Sequence, residues 1–98
     1  MLIKLHRSYR TVVTVCDSDL IGKIFEEEGK QLDLRGDFFK GEEKSFKEIV
    51  EILKLQKKED STFNIIGKES IEAAKEANLI SKDGIMKLKN IPYALILL

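Results

Sequence analysis

Few residues of this chain could do chemistry by themselves. Cys16 and His6 are its only thiol and imidazole, and a nucleophilic pair needs a third group to orient the base. No such group follows from their positions, and a free cysteine at the end of a β-branched run reads more simply as a small core residue. A zinc site would have to lean on carboxylates, against the usual Cys/His set. Asp17-x-Asp19 with Gly22 and Glu28 reproduces four fixed points of a calcium loop, but Ile21 stands where the fifth needs an oxygen ligand. Gly67-Lys68 suggests a phosphate loop until Thr62 and Glu69 are found where that motif requires Gly and Ser/Thr. The simpler reading there is a helix amino terminus. No catalytic residue, metal site or cofactor is expected.

Phe38-Phe39, between Arg35 and Lys40, is the most suggestive local feature. Aromatic rings beside cations can stack unpaired bases, at ~1–3 kcal/mol per base. The alternative is that one or both rings plug the core from a loop. Lys4, Arg7 and Arg10 make the amino-terminal stretch basic, while residues 17–29 set Asp17, Asp19, Glu26, Glu27 and Glu28 against Lys23 alone. With 17 basic and 17 acidic residues the net charge is zero. Broad electrostatic attraction to nucleic acid is therefore excluded, and any contact with RNA must be local.

Leu2–His6 and Thr11–Cys16 alternate as two strands turning near Ser8–Arg10. Asp17 or Ser18 would cap a helix over 18–28, with Leu20, Ile21, Ile24 and Phe25 on one face and Gly29 as its stop. Its three carboxyl-terminal glutamates oppose the helix dipole. Gln31–Leu34 reads as a short strand, and 35–41 as an irregular loop. Phe46, Ile49, Val50 and Leu53 repeat at helical spacing, giving a helix over 43–57 with Ser45 and Glu48 as a capping box. Glu43 and Lys47 would form an i,i+4 pair. Thr62–Ile66 is a buried strand, and 68–77 a helix ended by Asn78. Ile85–Lys89 is a strand, Asn90–Pro92 a turn and Tyr93–Leu98 a last strand. The order ββαβαβαββ predicts one α+β domain over residues 1–98, a mixed sheet with three helices. Its core should hold Val13, Val15, Ile24, Phe25, Phe46, Ile49, Val50, Leu53, Ile65, Ala74 and Leu97.

A length of 98 residues and 43% apolar content suit one hydrophobic core. One cysteine allows no internal disulfide and fits a reducing cytoplasm. The apolar tail, Tyr93–Leu98, is far below the ~20 residues of a membrane span, and Lys4, Arg7 and Arg10 interrupt any leader-like run. That tail carries no charge or proline, so it is either a central strand covered on both faces or an edge that pairs with another chain.

Taken in order, Val15-Cys-Asp17, Leu20-Ile-Gly-Lys23, Glu28-Gly29, Phe38-Phe-Lys-Gly41, Phe63-Asn-Ile-Ile-Gly67 and Ile91-Pro-Tyr-Ala94 resemble an archaeal family known as domain of unknown function 424. The resemblance runs from Thr11 to Ile96, and its motif positions here include Cys16, Asp17, Gly22, Gly29, Gly41, Asn64, Gly67 and Pro92. In that family the last motif usually has a His where this chain has Tyr93 and a Gln where it has Leu95. No role built on that histidine transfers. The resemblance implies an archaeal, cytosolic protein suspected of a role around translation or RNA, without an established reaction. The expected function is thus a non-enzymatic accessory factor contacting RNA or a ribosomal particle through Lys4, Arg7, Arg10, Arg35, Phe38, Phe39 and Lys40. The rivals are a protein-interaction module, paired with a protein partner or as a homodimer, and a small enzyme of unknown reaction.

Overall fold

Alternation decides the first pairing. Leu2–His6 (β1) and Val12–Cys16 (β2) run antiparallel from Leu2↔Cys16 to His6↔Val12, and this register puts Ile3, Val13 and Val15 on one buried face. The computed structural model describes residues 1–97, so Leu98 lies outside it. Ile24–Glu27 (β3) and Lys30–Asp33 (β4) form a separate hairpin, and Glu42–Glu43 (β5) adds two residues to the outer side of β1. Phe46–Lys58 (α1) follows, then Thr62–Ile66 (β6), Lys68–Glu76 (α2), Met86–Leu88 (β7) and Ile91–Ile96 (β8). The main sheet has the order β5-β1-β2-β6-β8-β7, and among the described residues only β2 and β6 pair in parallel. The mixed sheet of an α+β domain is therefore present.

Both helices lie on one face of the sheet. Ile49, Val50 and Leu53 of α1 and Ile71, Ala73, Ala74 and Ala77 around α2 pack on Ile3, Val13, Val15, Phe63, Ile65 and Ala94. Ser45 closes α1 with a complete capping box: its hydroxyl accepts from Glu48 N–H at 3.2 Å, and Glu48 Oε1 accepts from Ser45 N–H at 3.0 Å. Asn78, at φ 56°, ends α2, with Leu79 N–H bonding back to Ala74 C=O at 2.9 Å. The opposite face of the sheet is covered only in part. There the β3–β4 hairpin lays Phe25 and Leu32 over Cys16, Leu34 and Ile66.

Several expectations are corrected. The described residues form two α-helices, not three: 18–28 is a single 3-10 turn at Ser18–Leu20 followed by β3. Gly22 at φ 85° leaves the helical region, and Glu28 and Gly29 at φ 49° and 82° make a two-residue hairpin turn, not a helix stop. The unfavourable row of glutamates at the supposed helix end is thereby explained. Glu43 lies in β5, ahead of α1, so it has no i,i+4 relation to Lys47. Lys89 and Asn90, both left-handed, turn the chain between β7 and β8, and Pro92 sits within β8. Three expected core residues are exposed. Ile24 points away from the hairpin's packed side, Phe46 opens α1 a turn before its stripe becomes buried, and Leu97 lies past the end of β8 and is 70% exposed. Phe25 is half-buried. The tail strand has neighbours on both sides, but β7 pairs only with Ile91–Tyr93, so from Ala94 onward its outer side is not covered by β7.

Candidate functional site

Beyond the hairpin, the second sheet face brings together residues far apart in the chain, with Thr14 fully buried where the loop after β4 meets it. Register aligns Lys4 with Thr14, Thr14 with Asn64 and Asn64 with Leu95, a row across four strands. His6, Val12 and Thr62 form the next row. The loop after β4 folds over one end of these rows and is fastened there. Phe38 C=O accepts from Thr14 Oγ1 at 3.3 Å and lies 3.0 Å from His6 Nε2, and Lys4 Nζ donates to Asp37 C=O at 2.9 Å. The Phe38 ring stacks on His6 with centroids 4.5 Å apart and planes 20° apart, and meets Phe39 edge-on at 5.0 Å. Phe38 is 46% exposed, whereas Phe39 is half-buried against the Cys16–Leu34–Ile66 cluster. One ring plugs the core and its neighbour remains at the surface.

The other expected contact residues do not all join this platform. Lys40 is exposed and shares a groove with Lys4 and Lys44 along the outer edge of β1. Arg7 and Arg10 lie at the β1–β2 turn and face Glu59 and Asp60 across a groove of about 460 Å³, so their charge is partly opposed. Arg35 is clamped on Asp33 by two hydrogen bonds of 2.9 Å, an exposed pair that holds the Asp33 carboxyl down at about 2. His6, Thr14 and Asn64 were not singled out for this face by the sequence. The even-numbered positions of β1, β2 and β6 were the available signal, since they share its side.

The motif glycines and acids have structural work. Asp17 follows β2 and reaches the amino end of α2, where its carboxylate accepts from Glu69 N–H at 3.1 Å, Ser70 N–H at 2.8 Å and Ser70 Oγ at 2.7 Å. The helix end that resembled a phosphate loop is thus filled by the protein's own carboxylate, where the dipole favours negative charge. Gly67, at φ 109°, is required there, because a Cβ would meet Asp17 Cγ at 2.2 Å. Its N–H donates to Pro92 C=O at 2.8 Å, tying β8 to the same corner. At Gly41 a Cβ would meet Ile3 C=O at 2.1 Å, so only glycine lets the loop cross β1. Cys16 is fully buried beside this corner, and burial, then the charges of Asp17 and Asp19, push its thiol up to about 12. His6 and Cys16 sit at opposite ends of the β1–β2 pairing, so they form no dyad. Among the described residues no group of three or more His, Cys, Asp or Glu could hold a metal, and no helix is long and apolar enough to cross a membrane.

Residues 6–98 match the family described as protein of unknown function (DUF424). The chain belongs to the DUF424 family. A crystal structure of an uncharacterized conserved protein from Methanopyrus kandleri shares the fold, with a TM-score of 0.84 and 22% identity over 98% of this chain and 90% of that one. No curated protein matches the chain. Within this DUF424 chain, Tyr93 and Leu95 lie on the second sheet face, opposite Ile66 and Asn64.

Proposed function

We propose that this DUF424 protein is a non-enzymatic accessory factor that contacts single-stranded RNA or a ribonucleoprotein, in a translation-associated role, through the open half of its second sheet face. The observation that carries the reading is the exposed Phe38 ring stacked on His6 at 4.5 Å, beside Lys4 and, across the buried Thr14, Asn64. A pre-stacked ring loses little freedom when a base packs on it, and an adjacent ammonium can meet the phosphate. Zero net charge makes the affinity modest and strongly salt-dependent. Non-enzymatic action is supported by Cys16, whose thiol is buried and stands at the far end of the β1–β2 pairing from His6.

Fluorescence anisotropy with a labelled oligouridylate tests this. Phe38→Ala should weaken binding by about 5- to 150-fold, the equivalent of ~1–3 kcal/mol per stacked base. Equal affinity for the variant and the parent, or no binding at low salt, refutes the reading.

A second reading has its own observation. Beyond Tyr93 the outer side of β8 lacks β7, and Leu95 and Leu97 are 55% and 70% exposed there. An uncharged apolar edge of this kind can add a strand from another protein or a second copy. A monomer in sedimentation across micromolar concentrations would remove the self-pairing version.

A further inference from the structure

The helical layer does not cover the whole first face of the sheet. Both helices stand over its middle, and beside α2, above β7, a groove of about 510 Å³ remains open. Ile71 of α2, Ile85 and Pro92 give it an aliphatic floor. Its walls are cationic on both sides: Lys68 and Lys75 along α2, Lys82 and Lys87 on the segment opposite, all four exposed. The one carboxylate among the described lining residues is Glu72, and it is engaged by Lys75 at 3.3 Å. A chain of zero net charge thus sets four lysines against one glutamate around an apolar trough, which leaves an excess of positive charge after the Lys75–Glu72 pair.

From this arrangement we infer that the groove docks an acidic amphipathic helix of a partner protein, laid beside α2 where a third helix of the layer would lie. Lys68 and Lys75 are seven residues apart, so the cationic wall runs for about 10 Å, two helical turns. An occupant must therefore spread its negative charge along that length while presenting an apolar ridge to the floor. A short helix with leucines on one face and glutamates on both flanks does this. A nucleotide fits less well, because the floor has no aromatic ring to stack a base and the walls have no arginine to grip phosphate with two bonds. The inference is independent of the RNA reading, which concerns the opposite sheet face.

The test uses the full chain and two synthetic helical peptides. One carries Leu at i, i+3, i+4 and i+7 flanked by Glu; in the other every Glu is replaced by Lys. The acidic peptide should shift the backbone amide signals of Ile71, Ile85 and Lys87 in a nuclear magnetic resonance titration, and the basic one should not. The double variant Lys82→Glu/Lys87→Glu should bind the acidic peptide at least about tenfold more weakly, as should the parent when salt rises from about 0.1 M to about 1 M. Both sites are exposed, so the variant should fold, and Lys82→Ala/Lys87→Ala supplies a milder check. Equal binding of the two peptides overturns the inference. So does perturbation of the same amides by oligouridylate with none by the acidic peptide. Salt-sensitive self-association abolished by the charge reversal also overturns it, by naming a second copy as the occupant.

Discussion

Replacing Asp17 by Ala should unseat the amino end of α2 although Asp17 belongs to another element. The carboxylate is 8% exposed and accepts three hydrogen bonds, from Glu69 N–H, Ser70 N–H and Ser70 Oγ. Loss of a cap costs ~0.5–2 kcal/mol, loss of the charge at the helix end ~0.3–2 kcal/mol, and a buried donor left unpaired ~1–3 kcal/mol. These contributions overlap, and water entering from the adjacent shallow groove would recover some of them. About 2–4 kcal/mol is therefore expected from urea unfolding. At about 4–8 °C per kcal/mol for a domain of this size, the melting midpoint should fall by roughly 8–30 °C. Asp17→Asn keeps one acceptor and should lose about half as much. The cycle with Gly67 is the sharper assay. Gly67→Ala drives a Cβ into the Asp17 carboxylate and also strains φ, whereas in the Asp17→Ala background the clash with the carboxylate is gone and the strain remains. Its cost should then fall by at least about 1 kcal/mol, well outside the ~0.3–0.5 kcal/mol scatter of independent sites. A cost below ~0.5 kcal/mol for Asp17→Ala, or additivity in the cycle, would refute the capping argument.

Ile49, fully buried in α1, should cost ~2–5 kcal/mol when cut to Ala; a loss under ~0.5 kcal/mol would place that helix face outside the core. Cys16 should resist alkylation in the folded protein at mildly alkaline pH and react once urea unfolds it, because its thiol titrates near 12 and not near 9. The raised value also sets a sign: its contribution to stability is fully present below pH 9 and is lost as pH climbs toward 12. Unfolding curves of Cys16→Val measured across that window should therefore fall less steeply with pH than those of the parent. Identical slopes would mean that the thiol ionises freely in the folded state.

What could be read from the residues divides along local and non-local lines. Strand β6 and helix α2 were legible because each announces itself within one window: Thr62–Ile66 is β-branched and apolar, and Gly67 and Asn78 bracket the helix. The 18–28 segment misled because Leu20, Ile21, Ile24 and Phe25 satisfy a helical period by accident. The decisive features were Gly22 and the Glu28-Gly29 pair, a turn without the usual Asn or Asp. Two-residue β5 has no period to detect; it exists because Gly41 lets the chain cross β1. The contact platform was half visible. Phe38 and Lys4 stand out by type, but His6 and, across the buried Thr14, Asn64 join them only through strand register, which pairing and not composition decides.

Register also isolates the residue on which the functional reading can be pressed hardest. Of the eight motif positions, seven have a backbone or packing duty: Asp17 caps, Gly22 and Gly29 turn, Gly41 and Gly67 allow close approach, Pro92 anchors Gly67 and Cys16 fills the second cluster. Asn64 has none of these. It stands mid-strand in β6, half exposed, without a positive φ, between Thr14 and Leu95. Asn is a poor strand former and Thr a good one, across a scale spanning ~1 kcal/mol. Asn64→Thr should therefore leave stability unchanged or raise it by up to ~1 kcal/mol. If Asn64 sits there to hydrogen-bond a base edge beside Phe38, the same change should weaken oligouridylate binding by about 5-fold or more, one lost bond of ~1 kcal/mol. A gain in stability with binding intact would remove Asn64 from the interface, and a loss of more than ~1 kcal/mol in stability would make its role structural after all.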